Sequence, residues 1–326
     1  MGGSAADAIR SVAIVASRAA SNARWRPVPA LVLIACGSGG CGRIFFEPHR
    51  SDGDASTDDV AVADAAGTCD SQAPFGAPRL ISELSDLGAL DGTLRLMPDE
   101  LTGYMWSYTQ RADGDLYYVT RSALDLPFTM TRVTSVSTAS QELDPTFTSD
   151  GSMVVFRRSG PGDDLYVAPI SAPGVLGTVT PINAVNGAST EAQPFMPLGR
   201  NELYFQSTRT MAGDIYISTW SGGTTFSTPT LVAGLATPSV EGDPVVTGDG
   251  LTIYYRSDAP AAIARFNIYV ATRASTTDPF GAPQLVPNVN TPADDGPSWI
   301  SPNGCRLYIS SDLGGTNDIY VSTRGL

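Results

Sequence analysis

The chain has 326 residues, 33 of them acidic and 20 basic, with a formal charge of −13. That balance argues against a nucleic-acid partner, whose phosphates need basic neutralisation. Every one of the 20 basic residues is Arg and the single His is His49, so the sequence offers no Walker-type phosphate loop or Schiff-base lysine, and a His-dependent nucleophile is disfavoured.

Residues 1–35 carry Arg10, Arg18, Arg24 and Arg26 against one acid, Asp7, and end in the apolar run 28–35 before Cys36. A basic region, a short apolar region and a small residue describe an export signal. The run is well short of the roughly 20 residues that span a bilayer. Leu33-Ile34-Ala35-Cys36 resembles the lipobox of bacterial lipoproteins. The resemblance implies lipidation at Cys36 and an exported chain, lipid-anchored to the outer membrane, in the periplasm or at the cell surface. Membrane contact would then be through the anchor alone. Cys41 follows a poorer match, Ser38-Gly39-Gly40, and cleaved soluble secretion and an unprocessed tail are the other readings.

Residues 36–72 read as an acidic linker, rich in Gly, Ser and Ala with Asp52, Asp54, Asp58, Asp59 and Asp64. Low hydrophobicity and like charge keep such a segment extended and disordered. Its expected task is to hold a folded domain, residues 73–326, away from a membrane surface.

That domain repeats itself. Asp115-Leu-Tyr-Tyr118, Asp164-Leu-Tyr-Val167, Asp214-Ile-Tyr-Ile217, Asn267-Ile-Tyr-Val270 and Asp318-Ile-Tyr-Val321 recur about every 50 residues. A second alternating run precedes each, and a turn such as Ser149-Asp-Gly151 or Pro302-Asn-Gly304 precedes that. Period-two alternation between Gly, Asn and Pro turns marks antiparallel strands. Five such units without a helical period predict an all-β fold, a five-bladed β-propeller of four-stranded antiparallel blades. The fifth unit ends one strand short. Pro74-Phe-Gly-Ala-Pro78-Arg-Leu-Ile repeats Pro279-Phe-Gly-Ala-Pro283-Gln-Leu-Val, the fourth strand of blade four. The N-terminal copy is therefore expected to complete blade five and close the ring, which removes exposed sheet edges. Cys69 precedes that strand and Cys305 lies in the first turn of the blade it should join. A disulfide between them is expected in an oxidising compartment, with two free thiols as the alternative.

The block 301–321, Ser-Pro-Asn-Gly-x-x-Leu-Tyr-x-Ser-Ser-x-x-Gly-Gly-x-x-Asp-Ile-Tyr-Val, resembles the WD-like, TolB-type propeller repeat. The resemblance covers all five units and implies the fold and a bacterial envelope setting. TolB has six blades and an additional N-terminal domain. The five units and linker found here depart from that pattern, so its specific role does not carry over.

Each Asp or Asn of the Asp-x-Tyr motif is expected to bond turn amides, and the aromatic residues to pack between blades. Three residues before each blade-opening position stand Asp91, Glu142, Glu191, Glu241 and Asp294; one residue before it, two blades carry Asp144 and Asp243. Equivalent positions in a closed propeller form a ring, so these acids predict either turn caps or a negative axial mouth that concentrates cations. No cofactor is expected beyond Ca²⁺ at that mouth, which carboxylates would suit. Three functions fit: a non-enzymatic, monomeric scaffold for an envelope protein or cell-surface polysaccharide, a carbohydrate-binding lectin, and an arabinanase-like glycosidase. Hydrolysis needs a differentiated carboxylate pair, and the near-uniform acids favour the scaffold.

Overall fold

The computed structural model describes residues 69–85, 89–108, 114–210, 212–260 and 263–325. The export signal, Cys36 and most of the linker lie outside them. Among the described residues, twenty-one strands form five antiparallel sheets, one per expected blade. Blade one is Asp91–Leu96, Thr102–Ser107, Asp115–Thr120 and Thr129–Arg132. Blade two is Glu142–Phe147, Met153–Arg158, Asp164–Ala172 and Thr180–Pro181, with the short strand Val175–Leu176 folding back on its long third strand. Blade three is Glu191–Phe195, Glu202–Ser207, Asp214–Thr219 and Thr230–Leu231. Blade four is Glu241–Val246, Thr252–Ser257, Asn267–Thr272 and Gln284–Leu285. Blade five contributes Asp295–Ile300, Arg306–Ser311 and Asp318–Thr323 and takes Arg79–Leu80 as its outer strand. First strands touch first strands of both neighbouring blades around the whole circle, and all their residues are buried. The chain is a five-bladed β-propeller, as the repeats require.

Closure works as the duplicated segment predicts. Arg79 pairs with Val321 and Leu80 with Tyr320, matching Gln284 with Val270 and Leu285 with Tyr269 in blade four. Gly76 N donates to Thr323 O at 2.8 Å, as Gly281 N does to Thr272 O. Cys69 and Cys305 are disulfide-bonded, their Cα atoms 6.3 Å apart. Asp70 N donates to Gly325 O and Ala73 N to Asp70 O, both at 3.1 Å. The folded body therefore includes Cys69, four residues ahead of the boundary expected from composition.

The turns between first and second strands explain the Asp-Gly and Asn-Gly signals. Gly151, Gly250 and Gly304 have φ of 69°, 73° and 74°, a region only Gly enters without strain. In blade one Glu100 takes that place at φ 58°. Its buried carboxylate accepts from Arg306 and from the Tyr308 hydroxyl, each at 2.8 Å, tying blade one to blade five. Aromatic packing between blades is also as expected: Phe147 meets Tyr104 edge-on at 5.5 Å, and Phe75 meets Tyr254 at 6.4 Å. The Asp-x-Tyr acids are less uniform than the motif suggests. Asn267 accepts from the amides of Ile263 and Ala264 at 3.2 and 3.4 Å. Asp115 pairs with Arg132 at 2.8 Å, and Asp318 accepts from the Thr316 hydroxyl at 3.3 Å.

Candidate functional site in the axial channel

Two stacked cavities occupy the propeller axis. At the end where the first strands begin is a polar space of about 430 Å³. At the end where they finish is a mostly apolar one of about 180 Å³. The residues between them come from first strands, each of which has a bulge two or three residues in.

The bulge decides which acids reach the axis. In blades one to four it places Thr93, Asp144, Gln193 and Asp243 at φ of 48°, 53°, 54° and 47°. All four line the polar cavity. The Thr93 hydroxyl donates to Asp144 Oδ1 at 3.0 Å and accepts from the Trp106 indole at 3.1 Å, while Gln193 Oε1 accepts from Asp243 N at 2.9 Å. Asp144 Oδ2 accepts from Arg157 Nε at 2.8 Å, and Asp243 Oδ2 pairs with Arg256 Nε at 3.1 Å. Burial pushes the Asp243 carboxyl up, with Asp144 adding to the effect and Arg256 opposing it. Burial acts against the Arg157 charge, but Asp144 and Asp163 outweigh it and raise its pKa.

The other acids of the expected ring serve their own blades. Glu142 accepts from Thr138 N at 3.1 Å and from Arg158 at 2.9 Å. Glu191 accepts from Gly187 N at 3.0 Å, Ser207 Oγ at 2.9 Å and Arg209 at 2.9 Å. Glu241 accepts from Thr237 N at 3.2 Å and from the Thr237 hydroxyl at 2.5 Å. Asp91 is fully buried and pairs in register with Ser107. The fifth member is displaced by one residue. Asp295, not Asp294, faces Ser311, as Glu241 faces Ser257 and Glu191 faces Ser207. Asp295 accepts from Thr291 N at 2.6 Å, the same turn cap, whereas Asp294 accepts from Phe266 N at 3.0 Å and lines the polar mouth. Blade five has one residue fewer between this acid and its Pro than the other blades have before their opening position, so counting back from Pro297 lands on the wrong carboxylate.

The donor set does not suit Ca²⁺. The ion takes six to eight oxygens, and the two inner carboxylates are each committed to an Arg. Among the described residues no group of three His, Cys, Asp or Glu is placed to hold a metal.

Sequence reasoning assigned Trp106, Phe195 and Trp299 to inter-blade packing and missed the other channel residues that differ from blade to blade. The second-strand position facing the bulge holds Trp106, Arg157, Gln206, Arg256 and Ser310. The first-strand position beyond it holds Arg95, Thr146, Phe195, Val245 and Trp299. A place that varies within an otherwise regular repeat is the signal that could have found them.

Fold and channel together define a five-bladed β-propeller whose axis is differentiated by blade. No family model matches the sequence, and no curated protein matches it. Among solved structures, the chain is similar to TolB from Acinetobacter baumannii, at 17% identity and a TM-score of 0.47, over 77% of this chain and 63% of that one. It thus spans less than two thirds of that structure's length. It is also similar to a thermostable family-43 glycoside hydrolase at 10% identity and a TM-score of 0.50, over 72% of this chain and 88% of that one. The catalytic domain of a Coprinopsis cinerea GH62 α-L-arabinofuranosidase is matched at 10% identity and a TM-score of 0.47, over 78% and 97% of the two chains. The family-43 likeness is one of fold alone.

Proposed function

We propose that the chain is a lipid-anchored propeller of the bacterial envelope that binds an envelope protein or a cell-surface polysaccharide without catalysing a reaction. One observation carries this reading: both inner carboxylates of the polar mouth are already ion-paired, Asp144 with Arg157 and Asp243 with Arg256. A glycosidase needs one carboxyl poised as an acid and another available as base or nucleophile. The rim adds Trp106, Phe266, Asp294 and Asp312, an aromatic and acidic surface suited to a basic segment or to stacked sugar rings. Export and anchoring at Cys36 rest on the basic–apolar–lipobox order of residues 1–36.

The test is capture of partners from cross-linked bacterial envelopes by the wild-type protein and by the variant carrying Asp144→Asn and Asp243→Asn. A partner held by the wild type and weakened in the variant supports the reading, and a glycan array separates a polysaccharide ligand from a protein one. No partner and no change between the two proteins sinks it. A second reading, the glycosidase, draws on the raised pKa of Asp243 beside Asp144 in the larger cavity. Turnover of arabinan or of chromogenic arabinofuranosides, lost in Asp243→Asn, would establish it in place of the scaffold.

A further inference from the structure

The apolar end of the channel contains a charge for which the fold provides no hydrogen-bond partner. Arg95 is 1% exposed, and among the described residues neither its Nε nor either terminal nitrogen has a hydrogen-bond partner. Its guanidinium lies over the Phe195 ring, 4.9 Å from the centroid. Asp144 and Asp243 attract it from the polar side without reaching it as ion pairs, while burial lowers its pKa to about 10, which keeps it charged at neutral pH. Buried polar groups are nearly always satisfied, and an orphaned one calls for an explanation. An Arg fork is shaped to take a carboxylate through two parallel hydrogen bonds.

All three nitrogens of the fork are covered, so a ligand in the adjoining space reaches them when the guanidinium turns from Phe195 toward it. The cavity lined by Arg95 measures about 180 Å³, and its walls include Leu96, Phe147, Met196, Val246 and Trp299. An apolar cavity of about 150 Å³ holds a benzene ring. Thr146, also on the wall, accepts from Met196 N at 3.2 Å and keeps its hydroxyl proton to donate. We propose that this cavity binds a small organic carboxylate with a compact apolar body, its carboxylate on Arg95 and Thr146 and its apolar body against Phe195 and Trp299. The site uses the opposite end of the channel from the polar mouth.

Benzoate and its neutral isostere benzamide are the probes, titrated calorimetrically and followed by Trp fluorescence. Benzoate is expected to bind the wild-type protein at least tenfold more tightly than benzamide. Arg95→Met should abolish that preference while leaving the far-UV circular dichroism unchanged, because removing a buried charge without a partner does not unfold a protein that never relied on it. Equal affinity for the two probes, or no binding of either, would overturn the proposal whether or not the variant folds. So would Arg95→Met that keeps the benzoate preference. Arg95→Lys, which keeps the charge but loses the fork, should retain a weakened preference; full retention would argue against two-point recognition.

Discussion

The two ends of the axial channel are built from the same five strands, yet they solve opposite problems. At the polar end, each inner acid has its Arg from the same blade, Arg157 for Asp144 and Arg256 for Asp243. At the apolar end, Arg95 sits on a Phe ring with no hydrogen-bond partner among the described residues. Charge at the first end is balanced locally and can face solvent. Charge at the second is buried and balanced only at a distance, by Asp243 and Asp144. The lesson concerns repeats: positions that hold the same chemistry in every blade cap turns, while positions that vary build the channel.

That contrast can be broken by mutation, and the largest effect belongs to the apolar end. Phe195→Ala removes a buried ring that packs into the core and supports Arg95, and should cost about 3–5 kcal/mol in urea unfolding. Asp144→Ala should cost less, about 2 kcal/mol, because Arg157 keeps Asp163 as a second partner at 2.6 Å. If the two losses were equal, the division between a packed end and a charge-balanced end would fail. The register difference in blade five gives a finer test. Asp295→Ala should cost about 1–2 kcal/mol through its lost turn cap, and Asp294→Ala should stay within about 0.5 kcal/mol in the same assay.

The smallest signal is a slope. Burial raises the Asp243 carboxyl above its ordinary value of 3.8, so the folded chain binds its proton more readily than the unfolded chain does. Between that ordinary value and the raised one, stability therefore falls as pH rises. Melting temperatures recorded from pH 4 upward should fall less steeply in Asp243→Asn than in the wild type. An unchanged slope would mean that Arg256 cancels the burial of Asp243.

The sequence made the blade count, the closing strand and the Cys69–Cys305 pairing readable because each is written in local copies: a motif recurring near every 50 residues, a duplicated Pro-Phe-Gly-Ala-Pro, and a cysteine beside each half of the seam. The candidate site was only half readable. Asp144 and Asp243 could be picked out as acids, but their inward aim comes from a left-handed bulge. Asp enters that region with some ease; Thr93 and Gln193 have no such local preference and are held there by the sheet. Asp294 and Asp295 are adjacent carboxylates, and only the pairing with Ser311 tells which one caps the turn. Arg95 left no trace at all, since an Arg in a first strand looks like an exposed residue until five strands surround it.

The clasp at Cys69 has a mechanical meaning. A pull applied ahead of Cys69 and resisted at the C-terminal residues meets the fold at the very residue bonded to Cys305, just ahead of the strand Arg306–Ser311. Such tension crosses that covalent bond into blade five and bypasses residues 70–304. The two-residue closing strand Arg79–Leu80, whose short ladder would be the first to unzip, carries none of the load. Residues 70–304 form a closed covalent loop, so a pull between these two points bypasses the sheets of blades one to four.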